Sequence, residues 1–170
     1  KEYTGSIHWT GAQRGFRESP VCTDCHGEHA IRSHLDPHSP TFAGNVTKTC
    51  ASCHASERIT AKFSLKMDRA KSFQQSFHGL SGELGDVRAA NCASCHGNHK
   101  VLPPADPASP INPANLGQTC GHCHPGAENR FINERIHTTP EAPSHWSVTV
   151  VRIVYIWLIL LTIGGMLFHN

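Results

Sequence analysis

Every cysteine in the chain belongs to one repeated motif, Cys-x-x-Cys-His. The sequence has 170 residues and eight cysteines, and the four motifs begin at Cys22, Cys50, Cys92 and Cys120. Two thiols three residues apart lie about one helical turn from each other, and the histidine that follows lies on the same side of the helix. The chain must therefore fold so that it presents four equivalent sets of two thiols and one imidazole.

This spacing is typical of c-type haem attachment, in which each thiol forms a thioether with a haem vinyl group and the histidine binds the iron. Zinc ribbons, redox dithiols and structural disulfides also use Cys-x-x-Cys pairs, but none of them requires a histidine after every pair. We therefore expect four covalently bound haems. The attachment residues are Cys22, Cys25, Cys50, Cys53, Cys92, Cys95, Cys120 and Cys123, and the proximal ligands are His26, His54, His96 and His124.

The motifs are arranged as an internal duplication. The interval from Cys22 to Cys50 equals the interval from Cys92 to Cys120, so the second half of the chain repeats the spacing of the first. The sequence Asp-Pro-x-Ser-Pro at 36–40 recurs at the equivalent positions 106–110. We predict two dihaem modules at 1–70 and 71–140, a linker at 141–147 and a final segment at 148–170. Each module should contain short helices around its motifs and little other regular structure.

The duplication also separates the remaining histidines. His8 and His29 recur as His78 and His99, which gives two spare histidines for two haems in each module. We expect these four to be distal ligands, so that each iron has two axial imidazoles. Their context supports this for one set, since an aromatic-x-x-Ser-x-His pattern precedes both His8 and His78.

A looser third copy of this pattern, from Ile132 to His137, makes five candidates for four places. A residue such as His8 could serve a haem after it or before it in the sequence. In the second case His137 replaces His8, and Met67, which stands at the position of the first half equivalent to His137, becomes an alternative ligand there. The unrepeated His34, His38 and His122 are predicted to be surface residues.

The composition outside the motifs is poor in aliphatic residues. Hydrophobic residues make up 38% of the chain, but eight of them are cysteines and a large share of the others lies in the segment 148–168. Burial of the remainder is too small to offset the entropy of ordering such a chain, so we expect the haems to form most of the core. The 15 basic and 13 acidic residues form no clustered basic face, which argues against nucleic-acid binding.

The segment 148–168 predicts a transmembrane helix. Twenty-one helical residues span about 31 Å, close to the hydrocarbon thickness of a bilayer. A buried helix of a soluble fold is the alternative, but the rest of the chain has too few apolar residues to surround it. Because c-type haem is attached outside the cytoplasm, we expect a membrane-anchored protein with its haem modules in the periplasm or at the cell exterior. We also expect more protein after Asn170.

The four motifs, the Cys-His-Gly-x-His sequences at 25–29 and 95–99, and the aromatic-x-x-Ser-x-His segments resemble multihaem cytochromes c of bacterial respiratory chains. The last segment resembles the first span of membrane dihaem cytochromes b, which bind haem b through histidines near helix ends. This second resemblance makes His145 and His169 candidate ligands of a haem b; interfacial histidines are the alternative. Quinol-oxidising tetrahaem cytochromes with an N-terminal span differ, because the span here is C-terminal.

These features predict an electron carrier rather than an enzyme. Electrons would pass through four closely spaced, low-potential haems. One partner would be a membrane redox subunit or quinol-oxidising b-type cytochrome, and the other a soluble or extracellular redox protein. The alternatives are a haem filament in which His8 or His137 binds the haem of another subunit, and a multihaem reductase. A reductase needs an iron with an open coordination position, and the abundance of histidine argues against one.

Overall fold

The computed structural model describes residues 1–66, 68–127, 136–138 and 146–169. Within these ranges every regular element is a helix and none is a strand. Met67, Ile132 and His145 lie outside the described residues. A short 3-10 helix at Tyr3–Gly5 is followed by α1 (Ile7–Gln13), α2 (Cys22–His26), α3 (Val46–His54), α4 (Glu57–Lys62), α5 (Asp68–Gln74), α6 (Phe77–Glu83), α7 (Cys92–His96), α8 (Leu116–Gly121) and α9 (Trp146–His169).

The chain divides into two compact units, Lys1–Glu134 and Arg135–Asn170. The first unit contains all four motifs, and the second contains α9. Both halves of the repeat thus lie largely in one compact unit, where α3 packs against α4, α5 and α7. The division into dihaem modules at residue 70 remains a prediction.

The first and third motifs each form a single short helix with defined ends. In α7 the side chain of Asn91 accepts hydrogen bonds from the backbone N–H groups of Ala93 (3.0 Å) and Ser94 (3.3 Å), and Ser94 Oγ accepts one from the N–H of Asn91 (3.1 Å). This reciprocal arrangement is a capping box. The helix ends directly after His96 because Gly97 has a φ of 76°, as Gly27 does after α2 with 85°.

The other two motifs lie at the ends of longer helices. The second motif forms the last residues of α3. The fourth departs from the expected helix, because α8 ends at Gly121 and leaves Cys123 and His124 in a turn. In that turn the N–H groups of both residues donate to the carbonyl of Cys120, at 3.2 and 2.9 Å.

Aliphatic side chains do not fill the interior of the first unit. Among the described residues the only buried hydrophobic residue is Ala127, which is 2% exposed. The largest fully buried side chains in that part of the chain are serines, Ser6, Ser39, Ser72 and Ser109. An unliganded chain of this kind gains little from apolar burial.

Equivalent side chains in the two halves hold backbone carbonyls of the loops. The side-chain amide of Asn45 donates to the carbonyls of Pro37 and Ser39, both at 2.8 Å. The amide of Asn115 donates to those of Pro107 (2.8 Å) and Ser109 (2.9 Å). The same agreement holds for the hydroxyls of Thr49 and Thr119, which donate to Pro40 and Pro110 at 2.7 Å each.

The helix α9 has the length and composition of a membrane span. Its 24 residues have a mean hydropathy of 2.2 over the most apolar 18-residue window, and none of that window is buried in the protein. Such a helix is apolar all round and needs an apolar environment. The structure therefore agrees with the predicted span and leaves its direction across a membrane open.

Candidate metal centres

Three pairs of histidine rings face each other across similar gaps. The ring centroids are 6.2 Å apart for His8 and His54, 6.0 Å for His26 and His99, and 6.0 Å for His78 and His124. Each pair joins one predicted proximal ligand with one predicted distal ligand. The structure therefore brings together six of the nine histidines expected to bind c-type haem iron.

The distance between the ring centroids matches that of two imidazoles bound on opposite sides of one metal ion. A metal lies about 2 Å from an imidazole nitrogen, and that nitrogen lies about 1.1 Å from the ring centroid, so opposite imidazoles on one metal have centroids about 6.2 Å apart. Aromatic pairs also occur at such distances without a metal. Here, however, the distance recurs three times, and always between a motif histidine and a histidine outside the motifs.

The rings of His8 and His78 are positioned by the same local structure. Ser6 and Ser76 are the N-cap residues of α1 and α6, and their hydroxyls accept the N–H of Trp9 (3.1 Å) and Gly79 (3.2 Å). Each histidine is then the second residue of its helix. The aromatic-x-x-Ser-x-His pattern in the sequence therefore marks a helix start that fixes the orientation of an imidazole.

The third pair crosses between the halves of the repeat, because His26 lies in the first half and His99 in the second. The segment that carries His99 lies against the start of α1, where the N–H of Ile7 donates to the carbonyl of Val101 at 2.9 Å. The His99 ring also lies 3.9 Å from a carboxylate oxygen of Glu2. The sequence identified His29 and His99 as equivalent distal candidates, one in each half. It did not indicate that His99 would pair with a motif histidine of the other half.

The remaining candidates have different surroundings. The side chain of His29 is 92% exposed, and its ring lies 3.8 Å from a carboxylate oxygen of Glu28. His96, the last residue of α7, is half-buried, and so is His137. His169 is the last residue of α9 and is exposed. The residues predicted to lie at the surface, His34, His38 and His122, are all exposed.

All eight cysteines are described, and all are free thiols rather than disulfides. Cys50 of the second motif and Cys92 of the third lie close enough to shift each other's pKa, at the place where α3 packs against α7. The proximity of Cys50, opposed by desolvation and joined by the influence of Thr47, lowers the pKa of Cys92 to about 7. The same contact and then desolvation raise the pKa of Cys50. No feature of the sequence indicated this contact, which joins the two halves of the repeat.

Cysteines of consecutive motifs influence each other's pKa, the first motif with the second and the third with the fourth. Desolvation raises the pKa of Cys25, with smaller contributions from Asp24 and then from Cys53 of the second motif. Desolvation likewise raises the pKa of Cys95, followed by the influence of Cys120 of the fourth motif. Electrostatic influence of this kind falls off steeply with distance. Neighbouring motifs in the sequence are therefore also neighbours in space.

The electrostatics of one ring pair favour neutral imidazoles. Desolvation lowers the pKa of His8, and the nearby His54 lowers it further. Desolvation also lowers the pKa of His54. A neutral imidazole has the free lone pair that metal binding requires.

The donor groups meet in twos rather than in larger clusters. In the part of the chain that the structure describes, no group of three or more His, Cys, Asp or Glu side chains converges as it would around a bare metal ion. A tetrahedral zinc site needs four such ligands. Two opposed imidazoles beside a pair of thiols instead fit a haem, in which the macrocycle supplies the other four iron ligands.

Comparisons of the chain with protein-family models, with curated proteins and with solved structures find no match.

Proposed function

We propose that this protein carries electrons through four covalently bound c-type haems, as a membrane-anchored multihaem cytochrome. The observation that supports this most strongly is the set of three histidine pairs with centroids 6.0–6.2 Å apart, each containing a histidine from a Cys-x-x-Cys-His motif. Chance packing of aromatic rings gives no reason for this combination of distance and sequence position.

The residues present fit haem at each motif, since each offers two free thiols and one imidazole on a short stretch of chain. In the proposal His26 and His99 are the axial ligands at the first motif, His54 and His8 at the second, and His124 and His78 at the fourth. For His96 of the third motif, the candidates outside these ring pairs are His29 and His137. Met67 then has no part in the proposed ligand set.

When bound, the haems supply one-electron redox centres. At the first, second and fourth motifs the chain offers two imidazoles, which would both hold the iron and would leave no position there for a substrate. This favours electron transfer over the alternative of a reductase. The ring pair His8–His54 lies within one chain, which also argues against a filament in which His8 reaches another subunit.

The contact between Cys50 and Cys92 gives electrons a path between the halves. Each thiol is the first attachment point of its motif, so the second and third haems would share an edge at the junction of α3 and α7. The hydrogen bond from the Asn91 side chain to the carbonyl of Ala43, at 3.1 Å, holds the same junction together. Together with the order of the other motifs, this makes the path run from the first motif to the fourth in sequence order.

The helix α9 supplies the membrane attachment in this proposal. We infer a membrane redox subunit, such as a quinol-oxidising b-type cytochrome, as one partner and a soluble or extracellular redox protein as the other. The haem-binding unit then lies in the periplasm or outside the cell. His169 and His145 remain predicted candidates for a haem b.

The proposal is tested by counting haems and by opening them one at a time. The purified protein should contain four c-type haems per chain, all low-spin when oxidised. His8→Ala, His78→Ala and His99→Ala should each convert one haem to a form that binds carbon monoxide, because each removes one of two axial imidazoles.

The matched controls are His34→Ala and His38→Ala, whose exposed side chains face no other histidine ring at this spacing among the described residues. They should leave the spectrum unchanged. A protein that binds zinc and no haem would contradict the whole proposal. Haems that already bind carbon monoxide in the unaltered protein would favour the reductase instead.

A further inference from the structure

The two halves of the repeat are joined by a contact whose counterpart, with the halves exchanged, is not made within the chain. Within the first unit, residues 99–101 of the second half lie against the start of α1 in the first half. The N–H of Ile7 donates to the carbonyl of Val101. A Cβ atom built on Gly5 would lie 3.5 Å from Cε of Lys100, so the lysine stem packs against the 3-10 helix. The contact thus has two parts, a segment at 99–101 that docks and a face at the start of α1 that receives it. We call them the donor segment and the acceptor face; these names refer to docking and not to the hydrogen bond, in which Ile7 donates and Val101 accepts.

Each half has both parts, but only one of each is engaged within the chain. The counterpart of the donor segment is 29–31 in the first half, where the His29 side chain is 92% exposed and Ile31 is 68% exposed. The counterpart of the acceptor face is α6 in the second half, where Phe77 is 82% exposed. One donor segment and one acceptor face are therefore left on the surface.

The surface beside each unused part is also more apolar than the equivalent surface in the other half. Thr10 of α1 and Arg14 directly after it correspond to Leu80 of α6 and Leu84 directly after that helix, which are 50% and 90% exposed. On the donor side, Ala105 corresponds to Leu35, which is 74% exposed. Contiguous exposed apolar residues on a soluble unit commonly mark an interaction surface.

The apolar side chains on α6 are not directed at the metal centre. At about 100° per residue, Phe77, Leu80 and Leu84 fall on one face, while His78 points more than a quarter turn away, toward His124. Binding of haem by His78 therefore does not require the side chains of this face.

We propose that a second copy of this chain docks head to tail, with its segment 29–31 and Leu35 on the α6 face of the first copy. The occupant is a second copy because the exposed parts are the counterparts of two surfaces that already fit each other within the chain. Such a contact is heterologous, with different surfaces on the two partners, so each copy keeps one free donor segment or acceptor face. It would bring His29 of one copy to the third motif of the other and place the metal centres of two copies as those of the halves are placed.

The test uses the full haem-loaded chain in detergent micelles, with its mass followed against concentration by analytical ultracentrifugation. The unaltered protein should self-associate. Leu84→Asp and Ile31→Asp each place a charge in the contact and should weaken association about tenfold or more, because the charge must be desolvated. Leu65→Asp is the control, since Leu65 is 42% exposed but belongs to neither surface. An unchanged haem content in every variant shows that the fold is intact.

Mixing the two variants identifies the kind of contact. The Leu84→Asp chain keeps an intact donor segment, and the Ile31→Asp chain keeps an intact acceptor face, so the mixture should form pairs that grow no further. A symmetric contact of α6 with α6 would instead let the Ile31→Asp chain pair with itself, so that this variant alone would associate as well as the unaltered protein. That result, a monomeric unaltered protein, or association that neither variant weakens would each overturn the proposal. The last would instead assign the association to α9. None of these outcomes depends on whether the haems carry electrons.

Discussion

The two halves of the repeat share a frame of hydrogen bonds and differ in what surrounds it. Asn45 holds its loop with two bonds of 2.8 Å, and Asn115 holds the equivalent loop with bonds of 2.8 and 2.9 Å. Ser6 and Ser76 cap equivalent helices. This frame positions the ring pairs His8–His54 and His78–His124. The hydrogen bonds near the ring pairs are therefore the same in both halves, whereas the residues packed around them differ.

The first half has an additional packed cluster around the loop after α1. Phe16 and Phe63 pack edge to face with centroids 5.3 Å apart, and Lys62 Nζ lies 5.8 Å from the Phe16 ring. Lys62 also donates to Glu18 at 2.8 Å. In the second half the counterparts of Phe16 and Glu18 are Asp86 and Arg88, which form a local ion pair at 3.1 Å. The cluster ties α4 to the loop after α1.

The largest expected difference between the halves concerns two equivalent histidines, His29 after the first motif and His99 after the third. His99→Ala should open one haem to carbon monoxide, because the His99 ring faces His26 at 6.0 Å. His29→Ala at the equivalent position should leave the haems of the three ring pairs six-coordinate within a single chain, because the His29 side chain is 92% exposed and belongs to none of those pairs. Absorption spectra of the reduced proteins with and without carbon monoxide, at dilution, distinguish the two. Equal effects would mean that the cross-half pairing is wrong.

The shared frame should respond equally in both halves. Asn45→Ala and Asn115→Ala each remove two hydrogen bonds to loop carbonyls, and each should lower the free energy of unfolding by about 2 kcal/mol, at about 1 kcal/mol per bond. Urea denaturation of the haem-loaded protein measures both. Losses that differ by more than about 1 kcal/mol would show that these hydrogen bonds contribute unequally to stability in the two halves.

The cluster of the first half should give a smaller, one-sided effect. Phe16→Ala removes the ring contact with Phe63 and the stacking of Lys62, and should cost about 1–2 kcal/mol, since the side chain is only partly buried. Asp86→Ala at the equivalent position breaks an exposed ion pair and should cost clearly less. Thermal unfolding of the two variants side by side tests this order, which a larger loss for Asp86→Ala would reverse.

The smallest expected effect is the pH dependence of the free energy of unfolding that Glu18 contributes in the first half. A hydrogen bond from Lys62 is the main reason that the pKa of Glu18 lies below its usual value. A lowered carboxyl pKa stabilises the folded state above the unfolded pKa, and this contribution disappears as the pH falls through the folded value. The stability lost in Glu18→Gln at pH 6 should therefore shrink as the pH falls below about 4.3 and vanish once the pH is below the folded pKa of Glu18. Denaturation of the variant and of the unaltered protein at a series of pH values measures this, and a loss of stability that stays constant down to the lowest pH would contradict the prediction.

Local features of the structure could be predicted from the sequence, and features that join distant residues could not. The motif spacing predicted the helical turns at Cys22–His26 and Cys92–His96, and the hydropathy of the last segment predicted a helix of spanning length. The fourth motif is an exception, because α8 ends at Gly121 before its second cysteine. Periodicity describes neighbours along one helix, and it carries no information on where a helix ends against its surroundings.

The ring pairs show the same limit at the candidate site. The duplication identified His8, His78 and His99 as candidates, but the sequence left open whether His8 pairs forward or backward. The structure pairs it forward, with His54, and pairs His99 backward into the other half. These choices depend on contacts such as that between Ile7 and Val101, which lie in different halves and meet only through the packing of the whole unit.

In the proposed haem-bound protein, the helix ends at the ring pairs would produce differences in reduction potential among the first, second and fourth motifs. A helix N-terminus carries a partial positive charge and a C-terminus a partial negative one. His8 lies at the start of α1 and His54 at the end of α3, so the two fields oppose each other in the gap between them. His26 lies at the end of α2 and its partner His99 in no helix, whereas His78 starts α6 and its partner His124 lies in a turn.

A positive charge in the gap is therefore favoured most at the first motif and least at the fourth. Since oxidation adds positive charge, a haem at the first motif should have the lowest potential of the three and one at the fourth the highest. A redox titration of the unaltered protein, with each haem assigned by the loss of its signal in one single-histidine variant, would test this order. With these helix ends alone, an electron that enters at the first motif would move downhill in energy toward the fourth.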